Sequence, residues 1–314
     1  MSQASWQSFH VFYEEADLLL TECIAPLVHS LQEEGLISRF FFLRYWERGS
    51  HVRLRFQVQS PKATELVNAA VLRVVEDYMA RAPSHRTMDE NAYAALQNEY
   101  ARREGIDTVN ATLAANNTLT RERYKPEFVK YGGPSGVELA EELFAHSTTC
   151  ALTLLPTFAG SPNKRLSAAF TMMLLALRCS TVPVERMPTF LRRYAATWRE
   201  FLPAPVTSLV GPRAAAIHEQ LKEHAQAVLS GSGAQPSALQ FWANAVESAA
   251  RALDEQQELV LPLVQPASGD QGPAGRRAWL LGNYIHTHNN RLGLLPAAES
   301  YLCTLGAAAL EALA

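Results

Sequence analysis

The stretch SRFFFLRYWERGSHVRLRFQVQ, residues 38–59, holds two β-rich runs separated by a short Gly-containing loop at residues 47–50. Two such runs joined by so short a loop predict a β-hairpin. Residues 7–13 alternate in part and predict a preceding strand, and the apolar spacing of residues 15–34 predicts a helix between that strand and the hairpin. Pro61 begins a further predicted helix that runs to about residue 82, so this part is predicted as β-α-β-β-α with an antiparallel sheet.

The chain changes character after Pro134, where helical periodicity dominates and alanine is abundant. Helices are predicted there at residues 135–157, 163–180, 185–202, 211–229, 237–262, 275–292 and 295–312. Residues 83–122 are polar and predict a long connection with either a short helix or an edge strand, and residues 123–133 predict extended chain that ends in a tight turn. We therefore expect an α+β fold in one domain, 1–314: an N-terminal antiparallel sheet with flanking helices (1–133), and a largely helical C-terminal part (134–314) packed on it.

The composition argues against several classes of function. The 314 residues carry 28 Lys and Arg against 31 Asp and Glu, so no global basic field indicates direct binding to nucleic acid or to an anionic membrane. The four cysteines stand singly without a CxxC pair, which is typical of reduced thiols in a cytoplasmic protein. Neither a signal peptide nor an apolar run of membrane-spanning length is evident, and we expect a cytoplasmic protein.

The second strand of the hairpin alternates between apolar and basic residues. Period-two geometry places His51, Arg53 and Arg55 on one face and the apolar residues between them on the other. The neighbouring aromatic run adds Arg44, which is predicted to bring a third guanidinium group to the same face. Two interpretations stay open: solvated arginines on a half-exposed strand, or an anion-binding cleft, because clustered guanidinium groups repel one another unless a carboxylate or phosphate lies between them.

A second polar stretch, GNYIHTHNNRLGL, lies near the C-terminus. His286, Asn289 and Asn290 fall on one helix face at i, i+3 and i+4, while His288 points elsewhere, nearer Arg291. These residues are either surface and capping groups or a histidine that serves as general acid or base. A metal site is disfavoured, because no Cys, Asp or Glu stands nearby at ligand spacing.

Several motifs in this order resemble one family: an aromatic strand from Trp6 to Tyr13, FFLRYWERGSHVRLRF, YKPEFVKYGG with the following GVELAEELFAHST, and IHTHNNRL. The ordered set spans most of the chain and resembles the C-terminal elimination domain of class I lanthipeptide dehydratases and the free-standing thiopeptide-type bacteriocin biosynthesis proteins. The resemblance implies that the enzyme modifies a ribosomally made precursor peptide, with both leader and core as its partner. A separate glutamyl-tRNA-dependent protein glutamylates Ser or Thr, and this domain eliminates glutamate to leave dehydroalanine or dehydrobutyrine. No cofactor and no metal are implied.

The resemblance also implies catalytic residues. The predicted catalytic residues are Arg53, Arg55, Lys130 and His286, with His288 as the competing histidine. The predicted substrate-binding residues are Arg44, His51, Tyr131, Asn290 and Arg291. Because guanidinium groups bind carboxylates bidentately, Arg53 and Arg55 are expected to hold the glutamyl carboxylates while a histidine moves the proton. Lys130 departs from the family pattern, which has Arg before YGG, and it lacks the guanidinium fork.

Two alternatives to elimination follow from the same resemblance. Some free-standing relatives are cyclases that join two dehydroalanines by a formal [4+2] cycloaddition, build the pyridine core of thiopeptides and release the leader peptide. The motifs HVRLR and IHTHNNR favour elimination, whereas Lys130 leaves room for the cyclase. The second alternative is a non-catalytic partner of a dehydratase that binds the leader peptide by strand addition.

Overall fold

The structure, a computed structural model, describes residues 5–86, 93–94, 112–180, 182–198, 212–232, 236–255 and 273–313. The chain divides into two compact units, residues 1–125 and residues 126–314. The first unit carries a small antiparallel sheet and the second is helical, which confirms the predicted α+β class. That the two units form a single domain stays a prediction.

The first unit follows the predicted element order closely. It contains β1 Ser5–Phe12, α1 Ala16–Leu18, a π-helical segment Leu19–Ile24, α2 Ala25–Glu33, β2 Arg39–Tyr45, β3 His51–Val58, α3 Pro61–Arg81 and β4 Thr118–Glu122. Helix α3 begins after Ser60, whose side chain accepts a hydrogen bond from the backbone N–H of Ala63. Of the two possibilities that the sequence left open for residues 83–122, an edge strand is present as β4.

The four strands form one antiparallel sheet in the order β2-β3-β1-β4. In this register Arg53 is paired with His10 of β1 and with Leu43 of β2, and directly paired residues share a face. The opposite face carries side chains such as Phe9 and Leu54, which have no exposed surface. That face supplies the core of the unit, and α3 contacts β3 and β4. The alternation predicted for β3 is therefore confirmed.

The second unit consists of helices joined by short turns. It contains α4 Phe128–Tyr131, α5 Gly133–Leu154, a 3-10 turn Leu155–Phe158, α6 Pro162–Arg178, a 3-10 turn Val184–Arg186, α7 Met187–Trp198, α8 Pro212–Ser230, α9 Ser237–Glu255, α10 Pro273–Leu292 and α11 Pro296–Glu311. The predicted helix ends at 199–202 and 256–262 lie outside the described residues. Helix α5 packs against α9 and α10, and α11 packs against α7 and α8. None of the described helices combines the length and apolar character needed to cross a membrane.

The prediction of extended chain over residues 123–133 is wrong at its end, where Phe128–Tyr131 forms a helical turn. Gly132 follows with a φ of 85°, a left-handed conformation that glycine adopts without a Cβ penalty. Helix α5 then begins at Gly133, with Pro134 in the first turn, where a missing N–H leaves no intrahelical bond unmade. The glycine pair therefore links two helices.

Helix α11 packs closely against its neighbours because Gly306 has no side chain. A Cβ atom at this position would lie 3.0 Å from Leu191 Cδ1 and 3.3 Å from Phe170 Cε2. We expect Gly306→Val to lower the free energy of unfolding by about 2 kcal/mol, because overpacking a dense core displaces its neighbours. Chemical denaturation measures the difference. Ala308→Val, at an exposed position of the same helix, is the control with a loss under about 1 kcal/mol, and equal losses would contradict this packing role.

Candidate active site

The basic face of the sheet, which we define as His10, His51, Arg53 and Arg55, brings together side chains from β1 and β3. The rings of His10 and His51 stack with centroids 4.9 Å apart. Arg55 Nη2 lies 3.4 Å from His10 Nε2, and Arg53 Nε donates to His51 Nε2 at 3.2 Å. The structure therefore places Arg53, Arg55 and His51 together, as the alternation predicted.

Arg53 already has a carboxylate partner. Its Nη2 lies 3.1 Å from Glu47 Oε2, in the loop between β2 and β3. Its guanidinium carbon lies 3.3 Å from the ring centroid of Tyr45, a cation–π contact. The Arg53 side chain is 21% exposed, so it is neither fully solvated nor an unoccupied clamp for a carboxylate.

The contacts of His51 assign its tautomer. Nδ1 lies 2.9 Å from the carbonyl oxygen of Gly49, which only accepts hydrogen bonds, so Nδ1 carries the proton and Nε2 accepts from Arg53. Burial is the main cause that lowers the pKa of His51 to about 4 and that of His10 to about 2, and the charge of Arg53 lowers both further. Both rings are therefore neutral at pH 7.

Arg55 is buried, with 7% of its surface exposed. Its Nη1 donates to the backbone oxygen of Leu54 at 3.0 Å. Burial, followed by the charge of Arg53, lowers the pKa of Arg55 to about 10, so the guanidinium remains cationic at pH 7. Ser8 is paired with Arg55 across the strands, and its buried Oγ has no hydrogen-bond partner in the part of the chain that the structure describes. Arg55 keeps a small exposed surface through which its guanidinium can meet a polar group of a ligand, whereas the Ser8 hydroxyl has almost none.

Arg44 does not belong to the basic face. It is paired with Val52 in the register of β2 and β3 and therefore lies on the face opposite Arg53. Its Nη2 lies 2.6 Å from Asp17 Oδ1. The prediction of three guanidinium groups on one face is wrong, because successive side chains of a strand alternate and Arg44 falls on the other alternation phase.

Lys130 and Tyr131 both lie on α4 in the second unit. Lys130 Nζ lies 3.6 Å from Glu127 Oε1, three residues earlier in the chain, so this cation also has a carboxylate beside it. Tyr131 is 3% exposed, and its ring is parallel to that of Tyr284 on α10 at a centroid distance of 6.2 Å. Burial raises the pKa of Tyr131. The ring of Tyr131 thus packs α4 against α10.

His286 lies on α10 and keeps 24% of its side chain exposed. Its Nδ1 lies 3.0 Å from Oε1 of Glu299, a fully buried carboxylate in the first turn of α11. Its ring stacks on Trp198 of α7 at a centroid distance of 4.4 Å. Glu299 Oε2 also accepts hydrogen bonds from Tyr194 Oη at 2.5 Å and from Asn289 Nδ2 at 3.3 Å. A partly exposed histidine held by a carboxylate is equipped to exchange protons.

His288 lies inside the helical core. It is 2% exposed, its ring stacks on Trp242 at 4.0 Å, and its Nδ1 lies 2.8 Å from Ser147 Oγ. Burial, with a further contribution from Arg291, lowers the pKa of His288 to about 3. A neutral imidazole without access to solvent is poorly placed to exchange protons. Of the two histidines that the sequence left open, the geometry favours His286.

Arg291 is also fully buried. Its Nη1 donates to the backbone oxygen of Thr287 at 3.0 Å and to Ser147 Oγ at 3.3 Å. Its guanidinium carbon lies 4.5 Å from the ring centroid of Phe144, and burial lowers the pKa of Arg291 to about 9. This burial argues against direct contact between Arg291 and a substrate. Asn290, half-buried on α10, stays a predicted substrate contact.

The carboxylate of Glu299 was not predicted from the sequence, and neither were its partner Tyr194 and the stacking residue Trp198. One feature of the sequence could have indicated Glu299: it is an acidic residue in the alanine-rich stretch PAAESYL, 13 residues after His286. That spacing crosses a turn between two helices, so no helical period connects the two side chains. In the described ranges, no group of three or more His, Cys, Asp or Glu residues is arranged to hold a metal ion.

Comparison with known proteins identifies the family. Residues 6–310 match the family described as lantibiotic biosynthesis dehydratase C-term, and the chain belongs to that family, which confirms the resemblance. Among solved structures the chain is similar to a pyridine synthase, TbtD, from thiomuracin biosynthesis, with 23% identity and a TM-score of 0.77 over 98% of each chain. The likeness to TsrL has 18% identity and a TM-score of 0.63 over 99% of this chain and 95% of that one.

The chain is also similar to the tRNA-dependent lantibiotic dehydratase MibB from Microbispora sp. 107891. The identity is 19% and the TM-score is 0.59, over 98% of this chain and 28% of that much longer one. Comparison with the curated proteins finds no significant match. At these identities the solved structures show a shared fold.

Proposed function

We propose that this protein is a peptide-modifying enzyme of ribosomal natural-product biosynthesis that acts as a pyridine-forming cyclase. It would join two dehydroalanines by a formal [4+2] cycloaddition and release the leader peptide. The observation that carries the proposal is the likeness to the pyridine synthase over 98% of both chains, at a TM-score of 0.77. The likeness to the dehydratase MibB is weaker, at a TM-score of 0.59. The elimination of glutamate that the sequence favoured becomes the competing candidate.

The pairing of the predicted carboxylate-binding cations supports this choice. Arg53 lies 3.1 Å from Glu47, and Lys130 lies 3.6 Å from Glu127. A glutamyl carboxylate would have to compete with these internal carboxylates for the same cations. A dehydrated peptide brings no additional carboxylate, so it suits these paired cations better than a glutamylated peptide does.

The two clusters have different roles in the proposed reaction. In the first unit, Arg55 is the proposed contact for a carbonyl oxygen of the precursor peptide, because its guanidinium stays cationic at pH 7. In the second unit, His286 is the proposed proton-transfer residue. The new ring becomes aromatic only when groups leave it. Each departing oxygen or nitrogen takes up a proton, and the ring loses one. The sequence of steps transfers no net electrons, so we propose no redox cofactor, and the resemblance implies no metal.

The proposed partner is a precursor peptide with its leader still attached. Its dehydroalanines come from an upstream dehydration, for which the resemblance implies a separate glutamyl-tRNA-dependent protein. Because such precursors are made by the ribosome, we place the reaction in the cytoplasm. Asn290 remains a proposed substrate contact of the second unit. His51 and Tyr131 are only 2% and 3% exposed, so we propose that they position neighbouring side chains and do not touch the substrate.

The experiment offers the purified protein two forms of the leader-bearing precursor peptide encoded nearest to its gene. One form carries the dehydroalanines and the other carries glutamylated serines. We expect mass spectrometry to show that the first form loses its leader and becomes a pyridine macrocycle, while the second form is unchanged. A precursor with alanine in place of one of the two dehydroalanines is the control, and it should not cyclise.

The other outcomes separate the competing functions. Release of glutamate from the second form, with dehydroalanine left behind, would show that the protein is an eliminase and would refute the cyclase. Binding of both forms without conversion of either would indicate a non-catalytic partner of a dehydratase and would refute both enzymatic proposals.

A further inference from the structure

Glu299 is a carboxylate with no exposed surface that three side chains approach. His286 Nδ1 contacts Oε1 at 3.0 Å, and Tyr194 Oη and Asn289 Nδ2 contact Oε2 at 2.5 and 3.3 Å. The donors come from α7 and α10, and the carboxylate comes from α11. Because an unpaired buried charge is strongly destabilising, a buried anion is kept only where donors surround it. This cluster is therefore built around Glu299.

Tyr194 acts as a donor in the cluster. Burial, together with the charge of Glu299, raises the pKa of Tyr194 well above its usual value, so the phenol keeps its proton. The backbone of α10 comes close to the Tyr194 ring at Gly282, where an added Cβ would lie 3.3 Å from Cδ2. The phenol holds the carboxylate in place and leaves Oε1 to His286.

The same contacts assign the tautomer of His286. Because Nδ1 donates to Glu299, Nε2 is the nitrogen of the neutral ring that is free to take a proton. In the ranges that the structure describes, Nε2 has no hydrogen-bond partner, and the side chain is 24% exposed. The stacking on Trp198 fixes the plane of the ring.

We propose that Glu299 is a positioning residue that keeps His286 protonated at Nδ1 and stabilises the imidazolium that forms when Nε2 accepts a proton. In the cyclase reaction Nε2 takes this proton from a carbon of the new ring. Nε2 then gives it to the amide nitrogen with which the leader departs. No proton passes to Glu299 in this route. The route of this proton rests on the proposed function, whereas the tautomer of His286 does not.

The first test determines the tautomer without substrate. In protein labelled with 15N-histidine, we expect NMR to show His286 with a protonated Nδ1 and an unprotonated Nε2. The signals are assigned as those that disappear in His286→Asn. A neutral His286 that is protonated at Nε2 would overturn the positioning role, whatever reaction the protein catalyses.

The second test removes the charge of Glu299 with Glu299→Gln. We expect kcat for the dehydrated precursor to fall at least about tenfold with little change in KM. NMR of the same variant should show a smaller share of neutral His286 protonated at Nδ1, because an amide oxygen is a weaker acceptor than a carboxylate.

Glu311→Gln is the matched control, since Glu311 lies on the same helix in an exposed ion pair with Arg192. We expect its kcat and the tautomer of its His286 to equal those of the wild type. An unchanged kcat and tautomer in Glu299→Gln, or equal changes in both variants, would contradict the proposal. If Glu299→Gln does not fold, the tautomer of His286 that NMR finds in the wild type decides whether the positioning role stands. If the wild type forms no pyridine while NMR finds the Nδ1 tautomer, the proposed function fails and the positioning role stands.

Discussion

Replacing His286 by asparagine is expected to lower kcat of the proposed cyclisation about a hundredfold or more while the protein stays folded. The asparagine amide takes the place of Nδ1 and preserves a donor for Glu299, but the variant lacks Nε2. A positioned general acid or base contributes about a hundredfold to ten-thousandfold to the rate of a reaction. Steady-state kinetics on the dehydrated precursor, with product detected by mass spectrometry, measures the loss.

The control for this variant is His29→Asn, at a histidine whose side chain is 74% exposed on α2. We expect it to keep full activity. Thermal unfolding of His286→Asn should resemble that of the wild type, which separates lost chemistry from a lost fold. If His286→Asn kept its kcat while a folded His288→Asn lost it, the proton-transfer role would pass to His288.

Mild acid is expected to destabilise the folded protein steeply. Burial is the main cause that lowers the pKa of His10 to about 2, of His51 to about 4 and of His288 to about 3. In the unfolded chain each histidine titrates near its usual pKa of about 6.5. As the pH falls below that value, the unfolded chain therefore binds protons that the folded protein does not. Stability is complete above this pH and declines toward the folded pKa values.

The size of the acid effect follows from proton linkage. Each buried histidine contributes a slope of up to about 1.4 kcal/mol per pH unit, or about 4 kcal/mol per pH unit for three. We expect a fold that is stable by about 5 kcal/mol to unfold near pH 5, and one that is stable by about 10 kcal/mol to unfold near pH 4. Urea denaturation at half-unit steps of pH measures the slope.

A variant with one titrating group fewer tests the origin of that slope. Asparagine at position 288 preserves a donor or acceptor for Ser147 in place of Nδ1, so His288→Asn removes the titration. The lost stacking on Trp242 lowers stability equally at every pH and leaves the slope unaffected. We expect its slope below pH 6 to be about one third smaller than that of the wild type. The exposed control His29→Asn should keep the full slope. Equal slopes in all three proteins would show that buried histidines do not cause the acid sensitivity.

Local patterns in the sequence predicted most of the elements. The alternation around Arg53 and Arg55 predicted β3 and its two faces, because side chains of a strand point to opposite sides in turn. Helical periodicity and breakers predicted α5 to α11, since each helix carries its own apolar stripe. The turn at residues 128–131 was missed because the left-handed Gly132 ends a helix as readily as it ends a strand.

The candidate site was predictable only in part. The face shared by His51, Arg53 and Arg55 followed from period two within one strand. The position of Arg44 could not be predicted in this way, because the register between β2 and β3 depends on the geometry of the loop that joins them. For the same reason the partner of Arg53, the loop residue Glu47, was not recognised.

The sequence by itself determined the α+β class, the order of the elements and the residue types of the site, since these depend on short-range periodicity and on ordered motifs. Only the tertiary structure decided which residues can act on a substrate. It buried His288 and Arg291 in the helical core and left His286 partly exposed. It also placed Glu299 of α11 beside His286 of α10. The physical reason is that burial and pairing depend on how helices pack against one another, and no repeat along the chain encodes that packing.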